Sequence, residues 1–266
     1  MSYDPDHRRH PRLQDLYYQF QPVEHAGSDT VNWYEALVRW RLPDGTVRGP
    51  LDVLPYWLSP TRSEAFTRFT IERAAATLQR APGAKLSINL SPTQVTQPAA
   101  LEALRGLQPE LRSRLVIELT EQQIRNLDAY WRGLELLRDH TGLVLLDDVT
   151  FDDLDHRFRL GAPIDGIKLD RSLLPALLGG TYHHRALELL EDARDRFDIV
   201  VAEGVEDPSV RDQLRALGVT HLQGFGIGMP SETIPQPTAP AAAARGAAIE
   251  PHDRPAPSQL GRAGNE

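Results

Sequence analysis

The chain has 266 residues, 41% of them hydrophobic and 25% charged, an ordinary globular composition that excludes a short disordered peptide. A formal net charge of −8 matches a polyanion poorly and argues against a nucleic-acid polymer as partner. The absence of cysteine removes disulfide scaffolds, thiolate metal sites and cysteine nucleophiles together.

The opening residues, MSYDPDHRRHPRL, lack the apolar run of a secretory signal, and no later stretch approaches the roughly 20 apolar residues of a membrane span. The expected setting is the cytoplasm, with no membrane partner. Residues 1–15 read as an N-terminal tail. From residue 231 to 266 a Pro/Ala-rich stretch without apolar periodicity reads as a disordered tail. Residues 16–230 read as one domain.

Within that domain, apolar runs at 16–23, 31–40, 85–90, 115–120, 143–148, 166–170, 199–205 and 221–227 predict eight strands. Helical spacing of apolar residues predicts helices over 63–80, 121–139, 182–197 and 207–217. The last has Asp207 as N-cap, Pro208 at its first position and Gly218 at its end. Residues 25–30, between the first two strands, are polar and too few for a crossover helix, so those strands should pair antiparallel. Eight strands with helices after most of them predict a TIM-type (β/α)8 barrel with a reversed first strand. A doubly wound open sheet is the alternative.

Buried parallel strands are nearly all apolar, yet polar residues recur near their downstream ends: Glu35, Asn89, Glu118, Asp147 with Asp148, Lys168 with Asp170, Glu203, and Gln223. Any one carboxylate there is explained by a turn or a helix cap, whereas seven consecutive strands each supplying a carboxylate, carboxamide or ammonium are not. A barrel gathers these ends at one mouth. Several carboxylates in one pocket repel unless cations compensate them, and oxygen ligands without a histidine or cysteine set point to Mg²⁺ or Mn²⁺. Adjacent Asp147 and Asp148 suit two ions roughly 3.5–4 Å apart, the arrangement that supports in-line displacement at a phosphodiester. Lys168 is one of two lysines against 27 arginines, so its place at a strand end calls for a specific reason.

Arg39, four residues beyond Glu35 on the same strand face, is placed to neutralise a phosphate oxygen or to form a surface ion pair. The closely spaced glycines of Gln223-Gly-Phe-Gly-Ile-Gly are a weak phosphate signal without a following helix. His183 and His184 read as an exposed helix start with no role in chemistry.

The segments YEALVRW (34–40), SINLSP (87–92), IELTE (117–121), LDD (146–148), IKLDRS (167–172), VAEGVE (201–206) and QGF (223–225) resemble, in order and spacing, the EAL-domain family. That resemblance runs over about residues 16–230. It implies a barrel that hydrolyses cyclic di-GMP to linear pGpG with two Mg²⁺ or Mn²⁺ ions, with a homodimer as a compatible assembly. It implies Glu35, Asn89, Glu118 and Asp147 as ligands of one ion, with Asp147 shared and Asp148 serving the other. By the same resemblance Lys168 holds and polarises the attacking water, and Glu203 assists as metal-site partner or general base. Gln223 belongs to the second-ion region, Leu37 and Arg39 contact the ligand, and Glu121 anchors the loop after the Asp pair. A compact ammonium orients water better than a planar guanidinium does, which agrees with the choice of lysine at 168.

Two departures stand out. The family's loop after Asp-Asp contains glycines, as in DDFGTGYSSL, whereas residues 149–154 here are VTFDDL, about two residues shorter and without glycine. Residues 56–60, YWLSP, replace an acidic stretch. Two readings follow: an active cyclic di-GMP phosphodiesterase, or a weakly active or inactive module that binds cyclic di-GMP or a protein partner. A different metal-dependent barrel hydrolase is a distant third. No sensor domain fits in the few residues before Leu16.

Overall fold

Strands β1 (Leu16–His25), β2 (Thr30–Arg41), β3 (Val47–Arg48), β4 (Leu86–Leu90), β5 (Leu115–Leu119), β6 (Leu143–Val149), β7 (Gly166–Leu169), β8 (Ile199–Ala202) and β9 (His221–Gln223) form one sheet. The computed structural model describes residues 10–28, 30–122, 124, 126–151 and 163–235. From β2 through β4 to β9 each strand lies parallel to the next. β1 pairs antiparallel with both β2 and β9 and so closes an eight-stranded ring, with β3 a two-residue appendage of β2. This is the expected barrel with its first strand reversed, and not an open sheet.

The described helices are α1 (Pro50–Trp57), α2 (Ser63–Arg80), α3 (Pro92–Val95), α4 (Pro98–Arg105), α5 (Pro109–Ser113), α6 (Leu127–Arg138), α7 (Leu174–Leu177), α8 (His183–Arg196) and α9 (Arg211–Leu217). α2 keeps its expected span, and the Arg114 guanidinium donates to the carbonyls of Leu78, Ala81 and Ala84 at its C-terminal end. α6 starts later than the apolar spacing predicts, because Asn126 caps it by accepting from Ala129 N–H. Strands β8 and β9 stop earlier than predicted, where Gly204 (φ +71°) and Gly224 (φ +158°) turn the chain. None of the described helices is long and apolar enough to cross a membrane.

Alternation along the strands sorts the barrel interior into layers. Val23, Trp33, Val116, Leu145 and Val201 pack together as an apolar floor. Two residues nearer the mouth, each of the eight ring strands or its end presents a polar side chain: Gln21, Glu35, Asn89, Glu118, Asp147, Lys168, Glu203 and Gln223. The outward residues, including Ile88, Ile117, Val144, Ile167 and Val200, meet the helices in the main core.

Packing continues past both limits that composition sets for the domain. Before Leu16, Pro11 accepts from Trp57 Nε1–H at 2.8 Å and His10 stacks on Tyr56 at 4.5 Å. After Pro230, Ser231 exchanges two backbone hydrogen bonds with Phe20, Glu232 pairs with Arg41, and Ile234 joins the main core. A packed unit ends at Ile234.

Candidate active site

Lys168, 1% exposed, holds the centre of the polar ring. Its Nζ lies 2.5 Å from Glu203 Oε1, 2.9 Å from Asp147 Oδ1, 3.1 Å from Glu118 Oε2 and 3.3 Å from Glu35 Oε2. Hydrogen bonds from neutral amides complete the ring. Asn89 Nδ2 donates to Glu35 Oε1 at 2.8 Å, and Gln223 Nε2 donates to Glu35 Oε2 at 2.6 Å. Gln21 accepts from Gln223 Nε2 at 3.3 Å and donates to the Gly228 carbonyl. Gln21 is the interior member that sequence reasoning misses. Its only signal is a buried amide between Phe20 and Pro22 on the reversed strand.

Asp147 and Asp148 are consecutive, and in a regular strand consecutive side chains face opposite ways. Here three steps along β6, from Leu146 to Val149, match two along β7, from Ile167 to Leu169. The extra residue forms a bulge, and Asp148 takes φ +50°. Both carboxylates therefore reach the mouth: ligand atoms of Asp147, Asp148 and Glu203 lie within 4.8 Å of one another, as do those of Glu35, Glu118 and Asp147. The two groups share Asp147.

One ammonium cannot balance Glu35, Glu118, Asp147, Asp148 and Glu203, and all but Glu35 are shifted above their ordinary values. Burial, then repulsion from Glu35, holds Glu118 well above the usual carboxylate range. Burial also raises Asp147, against the pull of Lys168. Burial, then the Asp147 and Glu121 charges, pushes Asp148 up to about 7. Glu203 rises to about 8 by burial, which the Lys168 charge only partly offsets. Glu35 alone falls, because Lys168, Gln223 and Asn89 together outweigh its burial. For Lys168, the carboxylates outweigh burial and raise it well above its ordinary value.

The donor set fits divalent cations that prefer oxygen. Glu118 Oε1 and Asn89 Oδ1 are buried oxygens with no hydrogen-bond donor, a costly state that a cation relieves. Both belong to the residues that the resemblance implies for one ion.

Above the ring lies a cavity of about 270 Å³ lined by Asp170, Arg171, Gly204, Glu206, Gly224 and Phe225 as well as ring members. Phe225 is 61% exposed at this rim, leaving an aromatic face open. Leu37 and Arg39 continue the Glu35 face of β2 outward, and Arg39 is fixed by its bonds to Gln19 Oε1 (2.8 Å) and the Val38 carbonyl. Glu121 is exposed, near enough to Asp148 to raise it. The glycines after Gln223 serve close packing: a Cβ at Gly226 would lie 2.2 Å from the Glu206 carbonyl, and one at Gly228 2.4 Å from Pro22. His183 and His184 stand at the start of α8, outside the ring. Of loop 149–154, residues 152–154 lie outside the described residues, as does Asp155.

A larger concavity of about 790 Å³ lies between His10, Arg12, Tyr17, Arg41 and Glu232. Its arginines are already paired, Arg12 with Asp15 and Arg41 with Glu232. It therefore offers no uncompensated cation to an anionic ligand.

Comparison with known proteins places residues 6–230 on the family model described as EAL domain. An uncharacterized signaling protein of Caulobacter vibrioides is 30% identical over 231 residues, covering 82% of this chain and 28% of the relative. The probable cyclic di-GMP phosphodiesterase PdeG of Escherichia coli is 24% identical, covering 77% of this chain and 43% of PdeG. The chain thus spans less than half the length of these curated relatives. Among solved structures, the manganese and cyclic di-GMP complex of Klebsiella pneumoniae BlrP1 shares the fold, with a TM-score of 0.67 at 24% identity over 85% of this chain and 58% of that one.

Proposed function

The chain belongs to the EAL domain family, and from that premise we propose that it hydrolyses cyclic di-GMP to linear pGpG with two divalent cations. The observation that carries this reading is the pair of carboxylate groups joined through Asp147. The relative named as a probable cyclic di-GMP phosphodiesterase and the solved complex with manganese and cyclic di-GMP support it.

In this reading Glu35, Asn89, Glu118 and Asp147 hold one ion, and Asp147, Asp148 and Glu203 hold the other beside Gln223. When bound, two Mg²⁺ or Mn²⁺ ions polarise the scissile phosphate and lower the pKa of water. The protein's part is positional and protolytic. Lys168 Nζ, fixed by four carboxylates, donates a hydrogen bond to the attacking water, and Glu203 takes its proton. The water oxygen forms a new P–O bond as the P–O3′ bond breaks in line, leaving a 5′-phosphate; the departing O3′ takes a proton from solvent water, and Glu203 returns its own to solvent. Leu37 packs against the nucleotide, and Arg39, held at the rim by Gln19, pairs with a phosphate oxygen.

A second reading is a module that binds the nucleotide without turnover. It is favoured by residues 149–151, which follow the Asp pair without a glycine and so lack the backbone freedom to re-aim Asp148. The deciding experiment incubates the purified chain with cyclic di-GMP and Mn²⁺ and follows nucleotides by chromatography, alongside calorimetric binding. Linear pGpG that disappears on chelation supports the enzyme. Tight binding with the cyclic compound intact supports the module, and neither binding nor product overturns both.

A further inference from the structure

Asp148 is held in a left-handed backbone conformation, which L residues occupy at a cost and keep only when the surroundings impose it. The imposing contacts run through the next three residues. Val149 returns to the sheet, buried and paired with Leu169, and its carbonyl accepts from Asp170 N–H at 3.0 Å. Two residues on, Phe151 packs partly into the main core. There the start of α8 grips it from outside. The Tyr182 ring meets the Phe151 ring edge-on with centroids 6.2 Å apart. The Arg185 guanidinium sits 4.9 Å over the same ring, and its Nη2 donates to the Phe151 carbonyl at 3.4 Å.

Tyr182 is the other non-glycine residue with positive φ among the described residues, at +66°. It is 67% exposed and its side chain does not cap the helix it precedes; its backbone is held by the turn that His183 N–H closes onto the Gly180 carbonyl at 3.2 Å. That turn presents the ring to Phe151. The two left-handed residues thus lie at opposite ends of one chain of contacts, Asp148 to Phe151 to Tyr182, and residues 149–151 contain no glycine that would reach this geometry unaided.

We propose that Tyr182 and Arg185 are positioning residues, a clamp on Phe151 that keeps Asp148 turned toward Asp147 and Glu203 and thereby sets the affinity of the second cation. This rests on the two-ion reading above. Neither residue touches the nucleotide or an ion; both act through the backbone between Phe151 and Asp148. Supports of this kind around metal ligands are worth about 10- to 100-fold in affinity.

The test is a Mn²⁺ titration of the full chain, with free ion read by electron paramagnetic resonance and melting temperature read in parallel. Because both side chains are exposed, the double variant Tyr182→Ala with Arg185→Ala should fold as the wild type does. The expected result is two binding steps in the wild type, with the weaker step loosened about tenfold in the double variant. The tighter step and the melting temperature should not move. Tyr182→Phe, which keeps the ring, should bind both ions as the wild type does. Two steps unchanged in the double variant overturn the clamp alone, as do two steps weakened together with a lower melting temperature, which mark a general structural role. A wild type that takes up fewer than two ions overturns the two-ion reading and the clamp with it.

Discussion

Lys168 Nζ lies 3.3 Å from Glu35 Oε2 although three strands separate β7 from β2 around the ring. The long, flexible lysine stem allows this: from one strand end it reaches the barrel axis and meets four carboxylates at once. Its ammonium is then the fixed positive charge around which the remaining oxygens are left for cations. Removing or reshaping it should separate two effects that a surface ion pair would not.

Lys168→Arg keeps the charge and loses the compact donor. Turnover should fall by about 100-fold or more, with little change in cyclic di-GMP affinity. Single-turnover rates and calorimetric binding measure the two separately. Equal losses in both would mean that Lys168 serves to hold the substrate phosphate.

Calcium should bind the oxygen ligands and inhibit. Its larger radius and looser coordination hold water and phosphate at the wrong separation for in-line attack. Adding Ca²⁺ to the Mn²⁺-loaded protein should suppress product formation without unfolding the chain. Full activity with Ca²⁺ alone would count against the two-ion geometry.

At the barrel floor His221 lies against Trp33, accepts from Asn32 at Nε2 and meets Thr220 Oγ1 at Nδ1. Burial, then the charges of His25 and Lys85, pushes it down to about 4 from an ordinary 6.5. Between those values the unfolded chain binds a proton that the native state does not. The stabilising share is therefore complete above about pH 6.5 and fades as pH falls, by up to about 3 kcal/mol at pH 4. Asp148 and Glu203, whose pKa values are raised, work in the opposite sense, so the comparison is urea unfolding of wild type against His221→Gln at pH 7 and pH 5. The wild type should lose more stability than the variant over that interval. Parallel profiles would show that His221 titrates normally in the folded protein.

The packed unit is proposed to end at Ile234 and the tail to follow it. A chain cut after Pro230 loses the Ser231 pairing with Phe20 and the buried Ile234 side chain, about 2–3 kcal/mol together. A chain cut after Ile234 keeps both. Urea unfolding should rank the second well above the first; equal stabilities would show that residues 231–234 contribute nothing.

Much of the ring was legible because charge at the end of an apolar run has no cheap explanation. Glu118 in LVIEL and Asp147 in LVLLDDV interrupt strands that are otherwise apolar. Gln21 escaped because β1 is reversed: its mouth-facing residue precedes the floor residue Val23, and neighbouring Tyr17, Tyr18 and Gln19 blur the alternation. The bulge that turns Asp148 inward has no composition signal, since it depends on how β6 registers against β7. Ile234 was hidden for a different reason. One apolar side chain in a Pro-rich stretch has no period, and only the path of the chain back along β1 buries it.

In the proposed reaction the Glu35, Glu118 and Asp147 oxygens hold a cation without which the phosphodiester is not cut. The most direct test of that requirement is single-turnover conversion of cyclic di-GMP to linear pGpG at saturating Mn²⁺, with wild type and Glu35→Gln side by side. Glu35 accepts from Asn89, Gln223 and Lys168, and a glutamine there keeps the shape while removing the charge. The wild type should give product, and Glu35→Gln none above background. Glu35→Gln turning over at the wild-type rate, or wild type leaving the cyclic compound intact while binding both ions, would contradict the proposed reaction.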